Sequence, residues 1–170
     1  MPRRMSYDVD VVIPAAAMYR NFTTIEYWHD LVDFYRENAA RTEIAHFHTD
    51  ETGTEIAFTH ILSADDLPAI ARAVVPGRFV ITREQHFEPF HTTANEARGR
   101  YSAQIPAPVE VTGDYVLQDT DRGSRMRMET LCRARVPIIG GQIEQLLMNG
   151  LKTLFSKEGE FTADWVARHR

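Results

Sequence analysis

The chain has 170 residues, 44% of them hydrophobic and 25% charged, with a formal net charge of −5. That length and mix fit one ordinary domain spanning 1–170, with enough apolar side chains for a core. The negative charge argues against general nucleic-acid affinity. No apolar run approaches the ~18–20 residues of a membrane-spanning helix, so no integral membrane segment is expected. A single cysteine, Cys132, rules out an internal disulfide. The basic start Met1-Pro2-Arg3-Arg4-Met5 leads into a polar strand pattern rather than an apolar signal core, so a cytoplasmic setting is expected.

Residues 6–13 alternate, with Tyr7, Val9, Val11 and Ile13 on one face of a half-buried strand. Pro14 stops it, and Ala15 to Asn21 make one or two helical turns. Thr23 or Thr24 is placed to cap a second helix, with Glu26 in its first turn. That helix carries Tyr27, Trp28, Leu31, Phe34 and Tyr35 at helical spacing and ends near Asn38-Ala39-Ala40.

From Arg41 the period becomes two. Residues 41–49 and 54–62 read as a hairpin around Asp50-Glu51-Thr52-Gly53. Pairing Thr49 with Thr54 puts Glu43 and His60 opposite each other on the apolar face, with Ala45, Phe47, Ile56, Phe58 and Leu62. Ile44, His46, His48, Glu55, Ala57 and Thr59 take the other face, and a bulge at Gly53 would change this register. Residues 63–77 break the pattern: Ser63 or Asp65 caps a short helical turn through Leu67 to Val75, closed by Pro76-Gly77.

Strands return at Phe79 to His91 and at Ala97 to Gln104, joined by Thr92-Thr93-Ala94-Asn95. After Ile105-Pro106-Ala107-Pro108, residues Val109, Val111, Gly113, Tyr115 and Leu117 alternate with Glu110, Thr112, Asp114 and Gln118. A turn at Asp119 to Gly123 leads into the strongest alternation of the chain. Met126, Met128, Thr130, Cys132, Ala134 and Val136 face one way; Arg125, Arg127, Glu129, Leu131, Arg133 and Arg135 face the other.

The stretch from Pro137 to Arg170 reads Pro137-Ile138-Ile139-Gly140-Gly141 and then a long helical pattern ending near Trp165-Val166, with Ile143, Leu146, Leu147, Leu151, Leu154, Phe155, Phe161 and Trp165 as one stripe. At ~1.5 Å per residue this helix is roughly 35 Å long or more. The order is therefore strand, two helices, six strands, long helix. Half-polar strands indicate an antiparallel sheet whose apolar face is covered by the final helix. The class is α+β, with about seven strands.

The segments Arg135-Val136-Pro137-Ile138-Ile139-Gly140-Gly141-Gln142-Ile143-Glu144, Ile105-Pro106-Ala107-Pro108-Val109-Glu110-Val111-Thr112-Gly113 and Glu160-Phe161-Thr162-Ala163-Asp164-Trp165 resemble the DUF2505 family of actinobacterial proteins. The element order is similar to that of the START-like (SRPBCC) superfamily. The resemblance covers most of the chain. It implies a helix-grip fold: a curved antiparallel sheet wrapped around a long C-terminal helix, two short helices between strands 1 and 2, and a cavity between sheet and helix. It implies no single chemistry and brings no catalytic residues, because function in such folds is set by the cavity lining.

On the inner face, a few polar groups among apolar ones would orient an amphipathic ligand. The expected lining is Phe47, Phe58, His60, Arg83, Gln85, Tyr101, Tyr115, Met128 and Thr130 from the strands, with Leu147, Gly150, Leu151 and Leu154 from the helix. Gly150 either packs closely on the sheet or leaves room for a ligand. Glu43 and His60 are either an acid/base pair or a structural ion pair. Gly140-Gly141 is a hinge or simply the turn into the helix, and Glu144 complements the helix dipole. His46 and His48 lack a third ligand at metal-binding spacing, so no metal is expected; nor is a cofactor. Cys132 reads as a small buried apolar residue. Arg125, Arg127, Arg133 and Arg135 form an outward basic stripe, either a solvated face or an attractor for an anionic partner or membrane surface.

The leading expectation is a non-catalytic binder of a hydrophobic or amphipathic small molecule. The alternatives are a cyclase- or dehydratase-like enzyme using Glu43 and His60, with Tyr101 or Tyr115 as further candidates, and an interaction module with a filled core. Oligomeric state is left open.

Overall fold

The computed structural model describes residues 2–37, 41–75 and 78–169. Its elements are β1 (Arg3–Val11), α1 (Ala15–Phe22), α2 (Ile25–Glu37), β2 (Arg41–Asp50), β3 (Gly53–Leu62), α3 (Ala69–Val74), β4 (Phe79–Phe87), β5 (Glu96–Gln104), β6 (Val109–Thr120), β7 (Gly123–Ala134) and α4 (Gly140–Arg168). The strands form one antiparallel sheet in the order β1-β7-β6-β5-β4-β3-β2. The α+β helix-grip architecture expected from the element order is what the chain adopts. The expected helix end at Asn38-Ala39-Ala40 and the stop at Pro76-Gly77 lie outside the described residues.

Local chemistry sets the boundaries. The carbonyl of Pro14 accepts from the Met18 amide at 3.0 Å, and Asp119 Oδ1 accepts from the Ala15 amide at 2.8 Å, so α1 starts on a side chain from the end of β6. Thr23 and Thr24 do not point their hydroxyls into α2 as expected; they donate to the carbonyls of Arg20 and Asn21 and close α1 instead. β4 ends at Phe87 rather than His91, which keeps only an isolated bridge to Glu96.

The hairpin of β2 and β3 corrects the sequence reading. Thr49 does pair with Thr54, but the register shifts between Ile44 and His46. Ala45 is the extra residue of this bulge. Beyond it every side chain changes face, because strand side chains alternate with a period of two. Thr42 and Ile44 therefore turn inward, and Glu43 turns outward opposite Thr59. Gly53 is not the bulge; it closes the turn at φ +128°.

Two glycines shape the middle of the sheet. One register row runs Met5, Thr130, Gly113, Tyr101, Gln85, Ile56, Phe47 across all seven strands. Tyr101 lies flat over Gly113, so a Cβ there would meet its ring at 2.2 Å. Its hydroxyl reaches past β6 to hydrogen-bond Thr130 on β7. In the adjacent row Tyr115 crosses Gly99 to stack on Phe87, with centroids 5.2 Å apart. Phe22 continues this stack at 4.8 Å from Phe87, and Trp28 joins it at 5.6 Å from Phe22.

Helix α4 lies against β1 and β7 and touches α2. It buries Ile143, Glu144, Met148, Phe155, Phe161, Thr162, Trp165 and Val166, while Leu147, Leu151 and Leu154 are half-buried against the core. Gly150 is on the solvent side, with nothing within 4 Å of an added Cβ. It belongs neither to a close helix–sheet contact nor to a cavity, against both readings of it. An exposed helical glycine costs about 1 kcal/mol relative to alanine. Gly150→Ala should therefore raise stability by about that amount in urea denaturation. Gly113→Ala should lower it by about 2 kcal/mol or more, because Tyr101 has nowhere to go.

Candidate functional site

The inner face of β4 holds Arg83 and Gln85, two residues apart and 4% and 7% exposed. A guanidinium buried this deeply needs partners. Glu158 of α4 supplies the first, with Oε1 2.7 Å from Arg83 Nη1. Gln85 supplies the second: with its amide oxygen turned to Arg83, Oε1 accepts from Nε at 2.9 Å and Nη2 at 3.0 Å. The Phe58 ring lies under the guanidinium, 5.2 Å from Cζ to centroid. Burial disfavours charge on both ions, pushing Glu158 up and Arg83 down, and each is tolerated because the other is present.

Tyrosines surround this pair. Tyr27 shares a hydrogen bond with Thr162 at 2.8 Å. Burial raises the phenols of Tyr27 and Tyr115 and pushes that of Tyr101 up to about 12, so all three are neutral donors at physiological pH. Beside the polar cluster lies a gap of about 30 Å³ bounded by Val9, Met18, Met126, Met128, Phe155 and Gly159. That volume holds about one water. Tyr115 and the stacked rings of Phe22, Phe87 and Trp28 also line it.

The remaining expected residues sort as follows. Phe58, His60, Tyr101, Tyr115, Met128 and Thr130 are buried inward, and Phe47 is half-buried among the core residues. Gly150 lies outside. Glu43 is outside too, its carboxylate 3.5 Å from Arg41 and exposed. It cannot form an acid/base pair with His60, whose partner across the strand is Thr42. His60 Nδ1 meets Thr42 Oγ1 at 3.0 Å, and its ring stands edge-on to Tyr35. Cys132 is buried, and burial pushes its thiol up to about 11, away from the reactive thiolate.

Glu158, Tyr27, Thr162, Met18 and Met126 escaped the sequence reading of the site. Glu158 had a signal: it keeps the helical phase of Glu144, Met148, Leu151, Phe155 and Thr162, the line that faces the sheet. Glu144 is likewise buried on that line, so the helix dipole is not its only surrounding.

A broad concavity lies on the opposite, outer face. It is an open trough of about 750 Å³ with mixed charge, lined in part by Arg4, His46, Glu55, Glu84, His86, Arg100, Asp114 and Glu129. Glu55 lies 3.5 Å from both His46 and His86. Among the described residues no group of three or more ligating side chains is arranged to hold a metal ion. His48 pairs with Asp50 at 2.8 Å. Of the basic stripe, Arg125 and Arg127 are engaged two-pronged by Asp10 and Asp8.

Burial, and then the nearby Arg83 charge, lowers the His60 imidazole from 6.5 to about 3. The folded state thus holds neutral His60 while the unfolded chain takes up a proton below pH 6.5. The stability from this group is complete above that pH and declines as pH falls toward about 3. The share of His60 is about 1 kcal/mol per pH unit in that window, while the raised Glu158 carboxyl acts in the opposite sense above its ordinary value; urea melts across the window should show wild type losing stability with acid more steeply than His60→Gln.

Comparisons agree with the architecture. A chain described as uncharacterized protein Rv0481c of Mycobacterium tuberculosis is 26% identical over 177 residues, covering 99% of both chains. Protein Ms6760 of Mycobacterium smegmatis superposes with a TM-score of 0.60 at 7% identity, over 98% of this chain and 92% of that one. Norcoclaurine synthase from Thalictrum flavum gives 0.59 at 12% identity, over 100% and 89%. The Zhui aromatase/cyclase from Streptomyces sp. R1128 gives 0.57 at 12% identity, over 99% and 95%. At these identities the structures share the fold alone. The model of the family described as protein of unknown function DUF2505 matches residues 6–166, and the chain belongs to that family.

Proposed function

We propose that the protein binds a small amphipathic molecule between sheet and α4, with its polar end at Arg83 and its apolar body among Met18, Met126 and Met128, in a cytoplasmic setting. The observation that carries this reading is the Arg83–Glu158 pair, buried beside a methionine-lined gap. A buried ion pair is a poor stabiliser compared with apolar side chains of equal volume. Its presence where a ligand's polar group would sit supports recognition over packing. Methionines are unbranched and adapt to irregular shapes, which supports enlargement of a gap that now holds about one water. The norcoclaurine synthase of like fold was solved with dopamine and hydroxybenzaldehyde, small molecules that join an aromatic body to polar groups.

A second reading is favoured by the 30 Å³ gap itself: a filled core in which the ion pair only fixes α4 on the sheet. The outward Glu43 removes the acid/base pair on which an enzymatic reading rested.

Titration with anilinonaphthalene sulfonate, an amphipathic anion, separates these readings. Ligand binding requires saturable uptake by wild-type protein with unchanged near-ultraviolet dichroism. The double variant Arg83→Met/Glu158→Leu should remain folded, with stability equal to wild type or higher by about 1–4 kcal/mol, and lose uptake. Arg83→Met alone should cost about 3–5 kcal/mol, since it leaves a buried carboxylate unpaired. A folded wild-type protein that takes up no probe would leave the filled-core reading standing.

A further inference from the structure

The connection from β7 to α4 contains an apolar side chain placed at some cost. Ile138 is wholly exposed and sits at φ +71°. The Ile139 amide donates to the Pro137 carbonyl at 2.8 Å, so Ile138 is the central residue of a three-residue turn. That conformation is strained for a residue branched at Cβ, and glycine or asparagine would adopt it more readily. An exposed isoleucine returns no packing within the fold to offset the strain.

The surroundings of Ile138 are apolar, rigid and basic. The Arg135 amide donates to the Pro108 carbonyl at 2.8 Å, which joins this turn to the Ile105-Pro106-Ala107-Pro108 loop. That loop makes two tight three-residue turns of its own, Ala107 to Ile105 and Val109 to Ala107. Pro106, Pro108 and Pro137 are all exposed. At the same end of the sheet Arg3 and Arg4 pair with Cys132 and Leu131, and Arg3 Nη2 donates to the Gly141 carbonyl at 3.3 Å. Arg133 and Arg135 complete an exposed arginine cluster. Carboxylates stand beside it: Glu110 lies opposite Arg133 and 3.8 Å from Arg135, both of that pair well exposed, and Glu129 and Asp114 line the outer trough with Arg4. Further down β7, by contrast, Arg125 and Arg127 are neutralised by Asp10 and Asp8. A chain of net charge −5 thus gathers four exposed arginines, outnumbering the carboxylates beside them, at the end of the sheet that carries its most exposed apolar side chain.

We infer that this end of the molecule docks on an anionic lipid bilayer, with Ile138 entering the acyl boundary and Arg3, Arg4, Arg133 and Arg135 on the headgroups. Basic side chains near an anionic surface and an apolar anchor act together in such contacts. No described helix is long and apolar enough to cross a membrane, so the contact is peripheral. The inference does not rest on the pocket reading above.

Cosedimentation with vesicles of equal parts phosphatidylglycerol and phosphatidylcholine tests it, with pure phosphatidylcholine and inorganic phosphate as comparisons. Wild type should pellet with the anionic vesicles at low salt, be released at high salt and stay in solution with the neutral ones. Inorganic phosphate at matched ionic strength should not release it, which would distinguish a bilayer from a free-anion site. Ile138→Gly relieves the backbone strain, so its Tm should not fall, yet vesicle affinity should drop about tenfold. Arg133→Ser/Arg135→Ser should lose a comparable factor, and Arg125→Ser/Arg127→Ser should lose little. Failure of wild type to pellet, equal pelleting with neutral vesicles, or unchanged affinity in Ile138→Gly would each overturn the inference.

Discussion

The contact between Arg83 and Glu158 constrains the rest of the interior. It joins the middle of the sheet to the middle of α4 and puts two opposite charges where the grip is driest. Several side chains around it accommodate those charges. Gln85 offers its oxygen to the guanidinium, Phe58 its ring face, and the three tyrosines stay neutral. Burial, and after it the nearby Arg83 charge, keeps His60 uncharged. The polar centre and the apolar rim are therefore one arrangement.

Gly99 and Gly113 make that arrangement possible. A side chain at either position would lift Tyr115 or Tyr101 off the sheet. Because the rings lie flat in opposite directions, they cover the floor of the grip and bridge neighbouring strands at once. Tyr101 ties β5 to β7 over β6, while Tyr115 continues the stack that begins at Trp28. The floor is consequently stiff, and the adaptable side chains, Met18, Met126 and Met128, are grouped to one side of it.

The element order, the antiparallel sheet and the long covering helix were legible because each rests on a strong periodicity, as in β7 and α4. Inner-face assignment held for Phe58, Arg83, Gln85, Tyr101, Tyr115, Met128 and Thr130, where strands are regular. It failed for Glu43 because one bulged residue, Ala45, inverts the faces beyond it and leaves no mark in composition. It failed for Gly150 because a glycine in a helix says nothing about which way it points. Glu158 was missed because it sits in the polar run Ser156-Lys157-Glu158-Gly159-Glu160, which normally marks the solvent side; only its phase along the helix distinguishes it. The filling of the grip depends on ring orientation across glycines, which follows from three-dimensional register rather than from spacing along the chain.

The pairing of β1 with β7 has a consequence for how the chain assembles. Strands β2 to β7 follow one another as neighbours in the sheet, so each finds its partner a short distance away in sequence. Arg3 instead meets Cys132, and Val11 meets Ser124. Closing so long a loop is entropically costly and slow until the rest of the sheet exists. During synthesis β1 must therefore wait, unpaired, until β7 has been made. Its alternating Arg3, Arg4, Asp8 and Asp10 keep that waiting edge charged and discourage it from joining another chain in the meantime.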